Sequence, residues 1–265
     1  VEDRGYQFAD GVYEVIKLYR GKPFTLDPHL QRLERSAAGI DLAMPLDRQQ
    51  LSAEIMKLVA RSGVRDGMVY LQLTRGVASP RNHIFPATPK PTLLFYTMPC
   101  ANPQKPGEGE GVRLMAVEDD RWKRCWIKSI ALLPNVLAKN KAVAAGGDEA
   151  VFIDNGIVTE CSATNLFAVI GGKLVTHPVG SKVLPGITRA VLFECAAELD
   201  VPVEERGYTE EEALRSSELF ITSTTRELSW VARWNDRYIG QGRCGPVTLA
   251  LHRAFCKRVL AETGE

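Results

Sequence analysis

The sequence predicts a two-domain protein that mixes helices with strands, an α/β (α+β) fold with a smaller N-terminal domain and a larger C-terminal domain. Strand-like alternation and helix-like spacing of apolar residues follow one another along the chain. Residues 102–111 interrupt this pattern with Pro, Gly and charged residues, which is typical of a linker. The length of 265 residues is sufficient for two domains of moderate size. We therefore expect domains at residues 1–101 and 112–265, joined by the linker 102–111.

The N-terminal domain is predicted to combine strands with two helices. In chain order these are a strand at 11–19, a helix from 27 towards 40, a helix after 47, and strands at 68–75 and 92–98. Asp27 and Pro28 are typical of a helix start, because they offer an N-cap followed by proline in the first helical position. Leu51 and Ile55 lie at helical spacing after Asp47, which predicts the second helix.

The C-terminal domain is predicted to begin with strands and then to alternate hairpins with helices. In chain order these are strands at 112–117 and 123–130, a helix at 134–145, hairpins at 149–161 and 165–177, a helix at 186–199, a short helix after 209, a strand at 218–224, a hairpin at 228–239 and a helix at 247–261. Asn155-Gly156 and Gly171-Gly172 are typical of tight hairpin turns, which need positive φ angles. Thr209 with Glu212 forms the pattern of a capping box.

The composition is that of an ordinary globular protein, with 45% hydrophobic and 25% charged residues. A formal net charge of +1 argues against a nucleic-acid or membrane-surface role, since both usually need a basic patch. No apolar run approaches the roughly 20 residues that span a bilayer. The chain begins without Met and without a signal segment, so we expect a cytoplasmic protein with further residues upstream.

The six cysteines form neither a CxxC pair nor a cluster with histidine along the sequence. They are Cys100, Cys125, Cys161, Cys195, Cys244 and Cys256. This distribution is typical of reduced thiols in the cytosol, and it argues against a disulfide framework or a zinc site. We therefore expect no metal site.

Lys128 and Glu160 are the candidate catalytic pair. Lys128 follows Trp126 and Ile127, and a lysine amine can form a Schiff base with an aldehyde. Glu160 precedes small and hydroxyl residues, and a carboxylate beside a pyridine nitrogen keeps that nitrogen protonated. An amine and a carboxylate are two of the groups that pyridoxal 5'-phosphate requires of a protein. Taken alone, each residue is more often an exposed surface side chain.

Two further segments are candidate phosphate sites. Gly186, Ile187 and Thr188 stand at the start of a predicted helix, where free N–H groups and the positive end of the helix dipole bind anions. Residues 222–225 read Thr-Ser-Thr-Thr at the end of an apolar run and can supply more donors. Each segment is equally consistent with an ordinary helix start or strand end.

A loop with two polar side chains is the candidate site for the substrate carboxylate. Arg81 and His83 are two residues apart, so in an extended segment their side chains point the same way. An arginine fork matches a carboxylate, and binding residues are frequent in loops. An exposed loop arginine and a turn histidine are the alternative. Tyr13 in the strand at 11–19 is either a core aromatic residue or a phenol donor.

These stretches, in this order, closely resemble the fold-type IV pyridoxal-phosphate enzymes, and among them the D-amino-acid aminotransferases. The matching segments are residues 8–33, TRG and SPRNH within 74–83, IKSIALL at 127–133, VTECSATNLF at 158–167, LPGITR at 184–189 and LFITSTT at 219–225. They span nearly the whole chain. The Arg-x-His element distinguishes this subgroup from the branched-chain aminotransferases.

The resemblance implies a role for each matching residue. Lys128 would hold the cofactor through a Schiff base and would then move the proton between the substrate Cα and the cofactor. Glu160 would pair with the pyridine nitrogen. Arg32, Ile187, Thr188 and Thr224 would hold the cofactor phosphate, Leu184 would pack against the ring, and Ser223 would also contact the cofactor. The substrate carboxylate would contact Tyr13, Arg81 and His83. The family fold places the cofactor in a cleft between the two domains, and its Arg/His loop reaches the neighbouring site of a homodimer.

The resulting expectation is a cytoplasmic, homodimeric transaminase that moves the amino group of D-alanine-type substrates to a 2-oxo acid such as 2-oxoglutarate by a ping-pong mechanism. On the same fold, the alternatives are a transaminase for branched-chain L-amino acids or (R)-amines and a lyase of the aminodeoxychorismate type. A non-catalytic binding protein is the alternative from another class. Arg81 and His83 argue against apolar or carboxylate-free substrates, and Lys128 with Glu160 argues against a non-catalytic protein.

Overall fold

The computed structural model describes residues 1–101 and 103–264, which form two compact units. The first unit contains Val1–Ala101, Ile127–Leu132 and residues 262–264. The second contains residues 103–126 and Leu133–Ala261. Lys128 therefore belongs to the first unit, and Glu160 belongs to the second. The boundaries expected from composition stay a prediction, and Asn102, the first residue of the expected linker, lies outside the described residues.

The first unit is a small sheet with helices packed against it. Its helices are α1 (Arg4–Phe8), α2 (Leu26–Ala38) and α3 (Arg48–Ser62), and its strands are β1 (Gly11–Tyr19), β2 (Lys22–Pro23), β3 (Gly67–Thr74) and β4 (Thr92–Pro99). The strands form an antiparallel sheet in the order β2-β1-β3-β4. Val12 lies opposite Leu73, so alternate residues of both strands bury their side chains in the same core. Leu33 of α2 and Ile55 of α3 complete that core.

The second unit is built around a larger mixed sheet. Its strands are β5 (Val112–Glu118), β6 (Glu149–Asp154), β7 (Ile157–Cys161), β8 (Asn165–Ile170), β9 (Lys173–Thr176), β10 (Val203–Glu205), β11 (Tyr208–Thr209), β12 (Glu218–Ser223), β13 (Glu227–Trp234) and β14 (Arg237–Tyr238). Its helices are α4 (Leu133–Ala144), α5 (Ile187–Glu198), α6 (Glu210–Arg215) and α7 (Pro246–Thr263).

The strand order of this sheet is β10-β9-β8-β12-β13-β5-β6-β7-β11, and β14 pairs with β13. Strand β5 is parallel to both of its neighbours, β13 and β6, whereas hairpins account for most of the other pairs. The core contains Trp234, which is 0% exposed. Its indole N–H donates a 2.7 Å hydrogen bond to Glu210 Oε1, so the one polar atom of this large side chain is satisfied.

Local sequence signals predicted most of these elements within a residue or two. Asn155 and Gly156 have φ angles of 50° and 80°, as a two-residue hairpin turn between β6 and β7 requires. Gly171 and Gly172 do the same between β8 and β9. Asp47 forms a capping box with Gln50 at the start of α3, and Thr209 forms one with Glu212 at the start of α6.

Asp27 was expected to be the N-cap of the helix that corresponds to α2, and this expectation is wrong. The helix begins at Leu26, and its N-cap is Thr25, which has a φ angle of 53° and makes no capping bond through its side chain. Asp27 lies in the first turn, where its charge is next to the positive end of the helix dipole. Proline is tolerated at the following position because N–H groups of the first turn have no intrahelical acceptor.

The strand expected at residues 123–130 is not formed. The backbone there bonds to several different segments, with Cys125 N donating to Ser181 O and Ile130 N donating to Gly11 O. One isolated bridge, between Val12 and Ser129, is the β-type pairing found in this segment. The alternation of apolar and polar residues at 123–130 therefore comes from a loop in which some side chains are buried and others are exposed.

Four short elements had no sequence signal that predicted them, namely α1, β2, β10 and β11. Each has five residues or fewer, which is too short for a periodic pattern. Among the described residues, no helix combines the length and the apolar character needed to cross a bilayer.

Candidate active site

Lys128 lies on a short irregular segment that packs beside β1 and α2 in the first unit. Its carbonyl oxygen accepts a 3.0 Å hydrogen bond from Tyr13 N. Its own backbone N–H donates to Ser36 Oγ at 3.1 Å. The side chain is half-buried, and its Nζ lies 4.3 Å from the centroid of the Tyr13 ring. Within the described part of the chain, no carboxylate forms a salt bridge with this amine.

Tyr13 is the aromatic neighbour of Lys128. It lies in β1, and its ring stacks on that of Tyr70 in β3 at a centroid distance of 5.9 Å. Tyr70 in turn contacts Tyr96 of β4 at 5.2 Å. The three rings follow one another across adjacent strands. Packing against Tyr70 therefore restricts the orientation of the Tyr13 ring. The structure thus brings two predicted site residues, Lys128 and Tyr13, into contact.

Arg32, expected to hold a phosphate, lies in a buried charged cluster with Glu14 and His29. Its Nε and Nη2 donate to the two oxygens of Glu14 at 2.7 and 2.9 Å. His29 Nδ1 lies 2.7 Å from Glu14 Oε2. Burial alone would raise the pKa of Glu14, but Arg32 and His29 outweigh it and hold that pKa below its ordinary value. Burial lowers the pKa of His29, against the pull of Glu14.

Arg81 and His83 lie on an exposed loop of the first unit, between β3 and β4. Both contact the ring of Phe8: Arg81 Cζ is 4.2 Å from its centroid, and the His83 ring is 5.2 Å away. Arg4 holds the loop, since its guanidinium donates to the backbone oxygens of Asn82 and His83 at 2.6 and 3.3 Å. The Arg81 and His83 side chains were expected to point the same way, and their shared contact with the Phe8 ring is consistent with this expectation.

Glu160 is the penultimate residue of β7 in the second unit and is 6% exposed. Its Oε1 accepts a 2.6 Å hydrogen bond from Arg121 Nη1. Its Oε2 accepts bonds from Asn165 Nδ2 at 3.0 Å and from Leu184 N at 3.1 Å. Burial raises the pKa of Glu160 to about 7, against the opposing effect of the Arg121 guanidinium. Three donors thus fix the carboxylate in position.

Arg121 is itself fixed by several acceptors. It bonds to Asp119 through Nε and Nη2, both at 2.9 Å, and to the backbone oxygen of Lys182 at 2.8 Å. Asp119 also accepts a 3.0 Å bond from Thr159 Oγ1. The arginine is 6% exposed, so its planar group has little freedom to leave Glu160.

The N-terminus of α5 lies beside Glu160. Asn165, which donates to Glu160, also donates to Leu184 O at 3.0 Å. Gly186 is the N-cap, and a Cβ there would lie 2.0 Å from Asn165 Oδ1, so this close approach requires glycine. Ile187 and Thr188, both buried, open the helix, where backbone N–H groups lack intrahelical acceptors.

The end of β12 lies beside Asn165, the residue that donates to Glu160. Thr222 pairs with Asn165 in the sheet, and its buried Oγ1 has no hydrogen-bond partner in the described residues. Ser223 and Thr224, the predicted site residues, follow it and are half-buried. The second unit therefore gathers a fixed carboxylate, a helix N-terminus and a buried hydroxyl that lacks a partner.

Sequence reasoning missed the residues that hold the predicted site residues in place within each unit. They are Glu14 and His29 in the first unit, and Arg121, Asp119 and Asn165 in the second. A signal existed for one of them. Glu14 lies on the same face of a predicted strand as the apolar residues Val12 and Ile16, so a buried charge and an oppositely charged partner could have been expected. The roles given to the predicted site residues stay predictions.

The chain is similar to known aminotransferases over most of its length. The model of the family described as amino-transferase class IV matches residues 11–234. A D-alanine aminotransferase of Listeria monocytogenes serotype 4b is 43% identical, with 100% of this chain and 92% of that protein covered. A D-alanine aminotransferase of Bacillus licheniformis is 42% identical, with 100% and 93% covered.

Among solved structures, a T.th. branched-chain amino acid aminotransferase with pyridoxamine 5'-phosphate superimposes with a TM-score of 0.88. It is 28% identical, and the alignment covers 100% of this chain and 88% of that one. The fold expected from the sequence, a mixed α/β fold of fold type IV, is therefore confirmed.

Proposed function

The chain belongs to the class IV aminotransferase family, and from that premise we propose that it is a pyridoxal-phosphate-dependent transaminase for D-amino acids. The amino group of a D-alanine-type donor would pass to a 2-oxo acid such as 2-oxoglutarate. The observation that carries the proposal is the similarity to D-alanine aminotransferases over the full length of this chain. The enzyme would act in the cytoplasm, where its six free cysteines stay reduced.

The residues present fit pyridoxal 5'-phosphate. A phosphate needs donors, and the N-terminus of α5 and the unpartnered hydroxyl of Thr222 supply them. A pyridine N–H needs a carboxylate, and Glu160 is held in place by Arg121 and by Asn165. A cation beside Glu160 would favour its ionised form, because opposite charges lower a carboxyl pKa.

The residues that would hold the cofactor are therefore Lys128, Glu160, Arg32, Leu184, Ile187, Thr188, Ser223 and Thr224. When bound, the cofactor supplies an electron sink for the bonds at the substrate Cα. Lys128 would hold the cofactor through its ε-amine and, once released from it, would move a proton to and from the substrate Cα. Tyr13, in contact with that amine, limits the directions in which it can turn.

Substrate selection would depend on Arg81 and His83, with Tyr13 as a further contact. A guanidinium and an imidazole suit the carboxylate that every amino-acid donor carries. Both side chains are exposed, and each rests against Phe8 instead of an internal anion. We propose that this loop reaches the active site of a second copy in a homodimer, so that each copy supplies the carboxylate contacts of its partner.

The decisive experiment is Lys128→Ala, with Lys123→Ala as the matched control because Lys123 is a nearby exposed lysine. The Lys128 variant should lose transamination of D-alanine and should no longer trap cofactor on borohydride reduction. The Lys123 variant should keep both properties. Normal turnover and covalent trapping in the Lys128 variant would refute the proposal.

A branched-chain L-amino-acid transaminase is the second candidate, favoured by the likeness to solved structures of that kind. Absorbance of the cofactor-loaded protein distinguishes the two after addition of D-alanine or L-leucine. Conversion with D-alanine alone supports the first proposal. Conversion with L-leucine alone would keep the role of Lys128 and move the substrate to the branched-chain class.

A further inference from the structure

Three potential metal ligands meet in the second unit at residues that the proposed transamination does not use. Glu227 is the first residue of β13, and His252 and Cys256 lie on α7. Cys256 Sγ is 3.6 Å from His252 Nε2, and Glu227 Oε2 is 3.9 Å from that same nitrogen. One ligand atom from each of the three residues lies within 4.8 Å of the others.

The way the side chains converge distinguishes a metal site from a nucleophile. A cysteine activated by histidine needs its acidic partner on the other ring nitrogen, so that the imidazole is bonded at both ends. Here Cys256 Sγ lies 3.6 Å from Nε2 and 3.9 Å from Nδ1, and Glu227 Oε2 approaches Nε2 at 3.9 Å, so the ring does not stand between the sulfur and the carboxylate. Donor atoms that surround one point in space, instead of forming a chain, are the arrangement that a bound ion requires.

The spacings also match metal coordination. With Zn–N near 2.1 Å and Zn–S near 2.3 Å, tetrahedral geometry places nitrogen and sulfur about 3.5 Å apart. The measured separation of His252 Nε2 and Cys256 Sγ is 3.6 Å. The separation of 3.9 Å from His252 to Glu227 needs a shift of only about half an ångström.

The supporting elements limit how far the ligands can separate. His252 and Cys256 are four residues apart on a helix, so their side chains lie on one face, as paired ligands on helices do. Glu227 is buried, with 8% exposure, and has a φ angle of 52°, which non-glycine residues rarely adopt. This residue lies where the chain turns from β12 into β13.

We propose that Glu227, His252 and Cys256 form a site for a divalent transition metal of the Zn²⁺ type, with water as the fourth ligand. A thiolate and an imidazole select such an ion over Mg²⁺ or Ca²⁺, which prefer oxygen ligands. The thiol gives up its proton when the metal–sulfur bond forms, and the proton goes to solvent. The site does not depend on the proposed chemistry of Lys128.

The bound ion would connect α7 to the β12–β13 turn. Glu227 is paired with Ser223 across that turn, so the residue that ligates the metal adjoins a residue proposed to contact the cofactor. Metal binding would therefore restrain the segment from Ser223 to Glu227. We expect Zn²⁺ to raise the thermal midpoint of the protein, because an ion that binds only the folded chain stabilises it.

The test is a titration of the purified, cofactor-loaded protein with Zn²⁺ in competition with a chromophoric chelator. One ion should bind per chain. Cys256→Ser and His252→Ala should each weaken binding by more than the roughly 10- to 100-fold that loss of an outer-shell partner costs. Cys100→Ser, which removes a thiol of the first unit, should leave the affinity unchanged.

Binding of Co²⁺ gives an independent readout that does not require a comparison of metal affinities. Tetrahedral Co²⁺ has visible d–d bands at longer wavelengths than the absorption of the cofactor ring, and the wild type and Cys100→Ser should show them. Their absence from the wild type, or equal binding and equal bands in Cys256→Ser, would overturn the proposal.

Discussion

At the scale of single residues, Glu160 owes its properties to the groups around it. Burial raises its pKa to about 7, and Arg121, Asn165 and the N–H of Leu184 hold both of its oxygens. A cationic ligand that binds beside such a buried carboxyl group favours its ionised form. In the proposed function, that ligand is the cofactor ring.

Replacement of Glu160 by Gln should therefore slow turnover strongly without unfolding the protein. Loss of a neighbouring charge moves a pKa by roughly 1–3 units, which corresponds to about 10- to 1,000-fold in rate if ring protonation limits the reaction. The measurement is kcat with D-alanine, with circular dichroism to check the fold. Glu118→Gln, at an exposed carboxylate, is the control. An unchanged kcat for Glu160→Gln would disprove this role.

Glu14 provides a prediction about acid stability. Its folded-state pKa lies below the ordinary value of 4.5, so its contribution to folding is complete above pH 4.5 and is lost as the pH falls through the folded value. Glu14→Gln should cost about 3–5 kcal/mol at pH 7, because it leaves Arg32 buried without its counter-charge.

Urea unfolding at a series of pH values measures this effect. The difference in unfolding free energy between wild type and Glu14→Gln should shrink below pH 4.5. Glu54→Gln, at an exposed ion pair with Lys57, should cost at most about 1 kcal/mol throughout. A difference between wild type and Glu14→Gln that stays constant down to about pH 3 would contradict the prediction.

The sequence singled out chemical candidates, such as Lys128 and Glu160, but not the residues that orient them. A reactive amine or carboxylate can be proposed from the sequence, because its residue type and its apolar neighbours are visible there. Arg121 could not be found in this way, because its importance depends on its contact with Glu160, which is distant in the sequence and is brought to it by folding. The sequence also led us to expect no metal site, and the proposed site departs from that expectation. The four-residue spacing of His252 and Cys256 is the sequence signal that bears on it.

At the scale of elements, helix caps are testable because their energetics are local. Asp47 accepts a 2.8 Å bond from Gln50 N at the start of α3, and the Gln50 side chain bonds back to Asp47 N. Asp47→Ala should reduce the unfolding free energy by about 1 kcal/mol, whereas Asp47→Asn keeps an acceptor and should be nearly neutral. Thermal or urea unfolding measures both, and equal losses would show that capping is not the cause.

Elements were predicted well wherever a few adjacent residues determine the conformation. Asn155-Gly156 specifies its turn through the φ angles that those residues allow. Residues 123–130 were predicted wrongly because alternating burial is not unique to strands. In that segment the environment of each residue comes from distant parts of the chain, such as Ser181 for Cys125.

At the scale of the whole molecule, the proposed homodimer can be tested by complementation. Arg81→Ala and Lys128→Ala chains, carrying different tags, would be co-expressed and the mixed dimer isolated. If Arg81 serves the partner's site, the mixed dimer contains one intact site of two and should recover about half of the wild-type activity.

Each variant alone should be nearly inactive. A stable mixed dimer without activity would place Arg81 in the site of its own chain. A chain that remains monomeric in sedimentation would remove the dimer proposal altogether.

The order of the strands was beyond sequence reasoning. Strand β5 pairs in parallel with β13, more than a hundred residues later in the chain, and no local pattern specifies such a partner. The mixed α/β character could be predicted, since it depends on periodicity alone. Pairing over long distances depends on which apolar faces complete a common core, and many orders satisfy the same pattern.

The position of Trp234 has a practical consequence for fluorescence. All four tryptophans, namely Trp122, Trp126, Trp230 and Trp234, belong to the second unit. Trp230 and Trp234 are buried, whereas Trp122 and Trp126 are 41% and 36% exposed. Indole emission during denaturation therefore reports on the second unit, with a shift to longer wavelength as the buried pair meets water. Loss of structure in the first unit must be followed by its tyrosines or by circular dichroism.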